Sequence, residues 1–259
     1  MTIDSSSIIS NKTKIHSSVN IGPFCIIGDD VEIEEGTSVL SHVIIKGPTK
    51  IGKNNTIYQF SSIGEDTPDK KFKGEDTKLI IGDDNVFREG VTVHRGTIQD
   101  KGVTKIGNGN LFMAYTHIAH DCLVGDNNIF ANNAGIAGHV SVGNCVVLGG
   151  YSTVHQFCSL GDYSFAGMKT SITMDVPAYT KVASNPARVI GLNSVGMSRN
   201  NIPSESISLI KKAFKIIYKK GLKLEDSLKE IDILLAETND TYLDIFSQSI
   251  KASSRGILR

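Results

Sequence analysis

Aliphatic side chains recur at every sixth position along most of this 259-residue chain. The phase runs from Ile3 to Ile63, returns at Ile81, Phe87 and Val93, and restarts at Ile106 to continue through Ile136 and Leu160 to Ala166 and Ile172. Four residues after each aliphatic stands a small or slim side chain, such as Val19, Cys25, Thr37, Asn110, Cys122 or Ala134. An α-helix needs a period of 3.6 and a half-buried strand a period of 2, so neither explains six. Six is the repeat of a β-helix, in which each hexapeptide supplies one short strand and a corner. Three hexapeptides close a triangular coil of eighteen residues, and about ten such coils stack into a solenoid. Glycine after the aliphatic, as in Ile21-Gly22 or Ile106-Gly107, suits corners with positive φ or close backbone approach. Asn54, Asn55, Asn127, Asn128, Asn132 and Asn133 are expected there too, because Asn tolerates the left-handed region.

Two stretches break the period. A charged run from Glu65 to Asp76 fills the gap before Ile81, and a second insertion covers residues 99–105. Insertions in a solenoid become surface loops, often on the binding side. Beyond about residue 188 the pattern turns helical. Ile207, Ile210, Phe214 and Ile217 share one face after Pro203, Lys211, Lys215 and Lys219 share another, and Gly221 is a stop signal. Two further helices are expected near Asp226–Glu237 and Tyr242–Ala252. The expected organisation is a β-helix over residues 1–188, with inserted loops at about 65–78 and 99–105, and a helical domain over 189–259 that caps the open end.

Composition excludes several classes. The formal net charge is +0, which argues against a nucleic-acid-binding chain, and the apolar runs are too short to span a bilayer. The N-terminal stretch lacks the basic start and apolar core of a secretory signal, so a cytoplasmic protein is expected. Cysteines 25, 122, 145 and 158 form no CxxC pair and read as free thiols. Neutrality hides an asymmetry: residues 1–180 hold 14 Lys and Arg against 19 Asp and Glu, whereas residues 181–259 hold 13 against 8.

Five of the seven histidines lie between residues 94 and 155, and His16 and His42 read as surface residues. The eighteen-residue coil places His120, Gly138 and Gln156 in one corner column, with His139 stacked on Asp121. A histidine is the natural general base near neutral pH. Asp121 would orient His120 and stabilise its cation, and a glycine lets a backbone N–H approach a developing oxyanion. No Ser or Cys has a nucleophile signature, which favours direct attack by a substrate hydroxyl. A zinc site built from His117, His120 and His139 competes with this reading but converges poorly.

The segments His117-Ile118-Ala119-His120-Asp121-Cys122, Ala137-Gly138-His139-Val140-Ser141-Val142 and His155-Gln156-Phe157-Cys158 make the chain resemble a known family. Val93-His94-Arg95-Gly96-Thr97 and the closing Ser254-Arg255-Gly256 extend the likeness over essentially the whole length. The family is that of the acyl-carrier-protein–UDP-N-acetylglucosamine O-acyltransferases, which begin lipid A synthesis. The resemblance implies a mainly β fold, a left-handed parallel β-helix with a small C-terminal α-helical domain. It also implies a homotrimer with active sites in the clefts between subunits. An (R)-3-hydroxyacyl chain would pass from acyl carrier protein to the 3-hydroxyl of UDP-N-acetylglucosamine, with no metal or other cofactor. His120 would be the general base, Asp121 its support, and the Gly138 N–H the oxyanion donor. Asp69, Lys71, His94, His117, His139, His155, Gln156, Asn193 and Arg199 match substrate-binding positions, and Met168 matches the acyl-chain ruler. A methionine there implies a shorter chain than a glycine would. Val195 and Asn200 depart from the family's Glu and second Arg, which removes one bidentate phosphate donor. Three alternatives stay open at the sequence level: an N-acyltransferase acting on an amino-sugar nucleotide, a metal-dependent hydratase like the β-helical carbonic anhydrases, and a non-catalytic scaffold.

Overall fold

The structure is a computed structural model that describes residues 2–259. Strands of two to four residues fill residues 2–172, because each hexapeptide offers one inward aliphatic, one outward neighbour and a turn. The strands stack in three sheets of 11, 9 and 8 members, the faces of a triangular solenoid. Thr2 pairs with Asn20 and Ile3 with Ile21, the eighteen-residue step expected of three hexapeptides per coil. The architecture is a left-handed parallel β-helix with a small helical part at its C-terminal end. Inward aliphatics such as Ile27, Ile45, Ile63, Phe87, Phe112 and Ile136 form one core along the axis. Each contributes about 1.5–3 kcal/mol by burial.

The corners differ in part from the sequence reading. Residues with positive φ are mostly not glycine: Asn54, Asn127 and Asn133 adopt it, and so do Phe24, His42, Phe60, Asp121 and His139. Asn55 and Asn128 instead turn inward. With Asn85 and Asn110 they form a buried ladder in which each side-chain oxygen accepts from the backbone N–H one coil further on. The glycines after the aliphatics serve close approach. A Cβ on Gly107 would lie 2.2 Å from the Asp126 carboxylate and 2.8 Å from the Gly125 carbonyl.

Both insertions leave the solenoid at the same corner, where the second face turns into the third. Thr56 pairs with Val86, thirty residues on, and Val86 with Leu111, twenty-five on. The excess of twelve and seven residues is looped out between Ser62–Glu65 and Lys78–Ile81, and between Thr92–His94 and Val103–Ile106. His120 and Asp121 occupy the next turn of that corner, between His117–Ile118 and Leu123–Val124.

The coils end in an antiparallel pair, Thr180–Ala183 with Arg188–Leu192. Four helices follow: α1 (Ser194–Arg199), α2 (Ser204–Lys219), α3 (Leu224–Thr238) and α4 (Thr241–Lys251). Pro203 stands at the N-cap of α2, and Gly221 takes a φ of 70° just beyond its end, as Pro before and Gly after a helix should. Ile210, Ala213, Ile217, Ile231, Phe246 and Ile250 close a second core over Tyr179. Asp175 joins the two parts by accepting from the Ser253 hydroxyl and the Ser254 and Arg255 N–H groups. Among the described residues no helix is long and apolar enough to cross a membrane.

Candidate active site

His120 and Asp121 are both buried, with side-chain exposures of 8% and 0%. Nδ1 of His120 lies 2.8 Å from Oδ2 of Asp121. A carboxylate only accepts, so Nδ1 carries the proton and Nε2 keeps its lone pair. Burial alone would push the Asp121 carboxyl up. Hydrogen bonds from His120 and from Thr97 outweigh it and hold the group below the usual carboxylate range. Thr97 supplies them with its hydroxyl at 2.6 Å and its N–H at 2.9 Å. Asp121 reaches back to its neighbour because its φ of 58° turns the chain sharply at the corner.

One coil on, Gly138 lies directly against the His120 ring. A Cβ there would meet Nε2 at 2.6 Å, which no larger residue permits without displacing the imidazole. The Gly138 carbonyl accepts from Phe157 N–H, while its own N–H donates to no group among the described residues. A cavity of about 530 Å³ opens here, lined by Pro68, Asp69, His117, His120, Gly138 and Gln156 among others. A larger groove of about 650 Å³ on the third face, against α4, holds none of the histidines.

The other expected residues are spread between the cavity, its surroundings and a second face. His117 sits at the cavity with Nδ1 2.8 Å from the Thr92 hydroxyl, and burial, then the neighbouring His120, lowers its pKa. His94 packs edge-on behind His117, with centroids 5.1 Å apart. Burial lowers its pKa to about 4, so it is neutral at pH 7. His139 stands beside His120 rather than in the cavity lining, stacked on Phe157 at 4.4 Å, with Nδ1 2.9 Å from Asp100. His155 is exposed, and so is Lys71, on the first inserted loop with Asp69.

Asn193 and Arg199 lie elsewhere, on the first face, around a second cavity of about 570 Å³ with Val195 and Asn200. The Asn193 carboxamide is committed, accepting from Gly196 N–H and donating to the Tyr163 carbonyl. Asn200 donates back to the Gly196 carbonyl. Met168 is 68% exposed near a corner, apart from both cavities.

The same geometry bears on nucleophile and metal chemistry. Burial pushes the Cys122 thiol up to about 12 and Cys158 to about 11, so neither is a thiolate at neutral pH. His120, Asp121 and His139 bring donor atoms within 4.8 Å of one another. Nδ1 of His120, the Asp121 carboxylate and Nδ1 of His139 are engaged with each other, with Thr97 and with Asp100, and His117 stands outside the group. Nothing in the sequence assigns a role to Thr92, Thr97 or Asp100, although Thr97 closes the Val93–Thr97 segment. Thr97 and Asp100 flank or occupy the second insertion, where the eighteen-residue step that aligned the histidines no longer holds.

A hexapeptide solenoid with a carboxylate-oriented histidine beside an unpaired backbone N–H has the parts of an acyltransferase. Residues 104–138 match the family described as bacterial transferase hexapeptide (six repeats), and residues 175–258 match UDP N-acetylglucosamine O-acyltransferase, domain 2. The acyl-[acyl-carrier-protein]–UDP-N-acetylglucosamine O-acyltransferase of Stutzerimonas stutzeri is 52% identical over 99% of both chains. The solved UDP-N-acetylglucosamine O-acyltransferase of Moraxella catarrhalis superposes with a TM-score of 0.97 at 46% identity, over all of both chains. That of Francisella novicida also gives 0.97, at 39% identity, over all of this chain and 94% of its own. The chain belongs to the acyl-[acyl-carrier-protein]–UDP-N-acetylglucosamine O-acyltransferase family.

Proposed function

We propose that this enzyme transfers an (R)-3-hydroxyacyl group from acyl carrier protein to the 3-hydroxyl of UDP-N-acetylglucosamine, the first step of lipid A biosynthesis. The observation that carries the mechanism is the buried His120–Asp121 pair packed against Gly138, whose N–H is unpaired, at one cavity. Nε2 of His120 takes the sugar hydroxyl proton as that oxygen attacks the thioester carbonyl. Asp121 stabilises the imidazolium as it forms, and the Gly138 N–H receives the oxyanion. Collapse breaks the carbon–sulfur bond, and the leaving thiolate regains the proton from His120, giving the ester and free carrier thiol. Asp69, Lys71, His94, His117, His139, His155 and Gln156 are read as substrate contacts, with His94 packed against His117.

The enzyme is further proposed to act as a homotrimer. The acyl-transfer cavity and the cavity holding Asn193 and Arg199 lie on different faces of one protomer, so a site that uses both needs a second protomer. Ile8, Ile26 and Ile44 present an exposed apolar row on the second face, beside exposed Phe24 and Phe60. Across the boundary Arg199 would hold the nucleotide phosphates and Met168 would limit the acyl chain. An acyl-carrier-protein donor fits a cytoplasmic enzyme. Acyl transfer to UDP-N-acetylglucosamine, from carriers bearing 3-hydroxyacyl chains of different length, tests the reading. Activity is expected with this acceptor, which has no free amine, and His120→Ala should lower kcat by about 10²–10⁴-fold. Retained turnover in that variant would remove His120 as the base, and activity on amine acceptors alone would favour the N-acyltransferase.

A further inference from the structure

The structure assigns Arg95 and Asp66 a shared role as the tether that sets the first inserted loop over the acyl-transfer cavity. The residues between Asp66 and Thr77 form neither helix nor strand, yet they carry Pro68 and Asp69 to the cavity that contains His120. Inside the loop, the Asp69 N–H donates to the Thr67 hydroxyl and the Lys71 N–H to the Asp69 carboxylate. The Asp69 carbonyl accepts from Phe72. These bonds shape the turn but do not fix where it sits.

Arg95 does that. It follows His94 at the end of its strand and is only 7% exposed. Nη1 donates to the Gly64 carbonyl at 2.5 Å, Nη2 to the Asp66 carboxylate, and the backbone N–H to the Glu65 carbonyl at 3.1 Å. Gly64 makes the exit possible, with a φ of 77° and a position where a Cβ would lie 2.2 Å from the Lys46 carbonyl. Lys46 pairs with Glu65 at 2.8 Å just before the loop leaves. Among the described residues, the bond to Asp66 is the one hydrogen bond from the 66–77 segment to a residue beyond its flanking strands. A guanidinium buried to this degree is costly unless each charge-assisted bond is made in good geometry. Lysine has no planar fork to serve the carbonyl and the carboxylate together.

The tether therefore acts on sugar-nucleotide binding through Asp69, without touching substrate. This rests on the proposed reading of Asp69 as a substrate contact. If losing the tether leaves the loop in place about a tenth of the time, apparent affinity falls about tenfold, because only that fraction is competent.

The experiment compares Asp66→Ala, Arg95→Lys and Asp69→Ala in the full-length enzyme, with both KM values, kcat and trypsin cleavage at Lys70, Lys71 and Lys73. Asp66→Ala leaves the buried Arg95 guanidinium without its carboxylate, so thermal melts and the KM for the acyl carrier show whether each variant keeps its fold. Asp66→Ala should raise the KM for UDP-N-acetylglucosamine about tenfold, leave that for the acyl carrier within about twofold, and speed cleavage of the loop. Arg95→Lys should do the same, and the double variant should be no worse than either single one. If Asp69→Ala raises the sugar-nucleotide KM while Asp66→Ala changes neither KM nor cleavage, the tether is refuted and the reading of Asp69 stands. If cleavage quickens but neither Asp66→Ala nor Asp69→Ala moves the KM, the reading of Asp69 fails and the inferred role in binding falls with it.

Discussion

Gly138→Ala is the smallest change that should disable the site while leaving the solenoid standing. The added Cβ would meet His120 Cε1 at 2.5 Å, Nε2 at 2.6 Å and Nδ1 at 3.1 Å. Ordinary contact begins near 3.4 Å, so the imidazole must retreat by about 0.9 Å or swing off its rotamer, at about 0.5–1.5 kcal/mol. Retreat is opposed on the other side. Nδ1 is held by Asp121, Asp121 by Thr97, and the His139 ring stands edge-on with its centroid 4.9 Å away. Displacing a general base by about 1 Å costs about 10²-fold in rate, or about 2.7 kcal/mol of transition-state stabilisation. Overpacking should lower stability by about 1–3 kcal/mol, partly offset by about 0.4–1 kcal/mol from the stiffer unfolded chain. Steady-state kinetics with thermal melts separate the two effects. Gly28→Ala is the control: its Cβ would approach nothing closer than 3.5 Å, far from the site, so its kcat should match wild type. If Gly138→Ala keeps kcat within about threefold of wild type, His120 is not the reacting group that the stacked corner makes it.

Three further outcomes follow from the same geometry. His94 has a folded pKa of about 4 against about 6.5 unfolded. Between those values the unfolded chain takes a proton that the folded one refuses, so stability present above pH 6.5 is lost as pH falls towards 4; solvent screening of this partly buried ring reduces the loss to about 1–2 kcal/mol. Urea melts at pH 7 and 5 should show that slope, and His94→Gln should flatten it; an unchanged slope assigns it elsewhere. Met168→Gly should shift donor preference to longer acyl chains, by about 0.8 kcal/mol or about fourfold for each methylene newly buried; identical chain-length profiles would remove Met168 as the ruler. Lys211 and Lys215 are exposed on α2 in the basic C-terminal part, and acyl carrier proteins are acidic. Reversing both to Glu should raise the KM for the acyl donor at low ionic strength but not for the sugar nucleotide, the difference shrinking as salt screens it; equal effects on both KM values would refute steering.

What the amino-acid order made legible is what repeats. The eighteen-residue step carries no information about distance, yet it aligned His120 with Gly138 and Asp121 with His139 because every coil adds the same displacement along the axis. The structure keeps that alignment: His139 N–H donates to the His120 carbonyl and Phe157 N–H to that of Gly138. Slim inward positions were legible for the same reason, although Asn55 and Asn128 were assigned to left-handed corners. A corner and an inward site are adjacent in sequence, and Asn suits both, so only the ladder through Asn85 and Asn110 separates them.

The repeat says nothing of contacts made by the insertions, and much of the site's electrostatics depends on them. Thr97 and Asp100 reach Asp121 and His139 from a segment that has left the period, so no count of eighteens leads to them. Arg95 reaches Asp66 across 29 residues by the same departure. The division has a physical basis. The regular coils supply stiffness and hold His120, Asp121 and Gly138 in stacked turns, but a strictly periodic corner exposes only its own column of side chains. A second carboxylate for His139 and a cavity-lining residue such as Asp69 must come from chain that the solenoid does not constrain. Such chain holds its place only where a buried group like Arg95 ties it down. Activity should therefore be most sensitive to small-to-large changes in the coils, which move the base, and to loss of polar tethers in the loops, which move its partners.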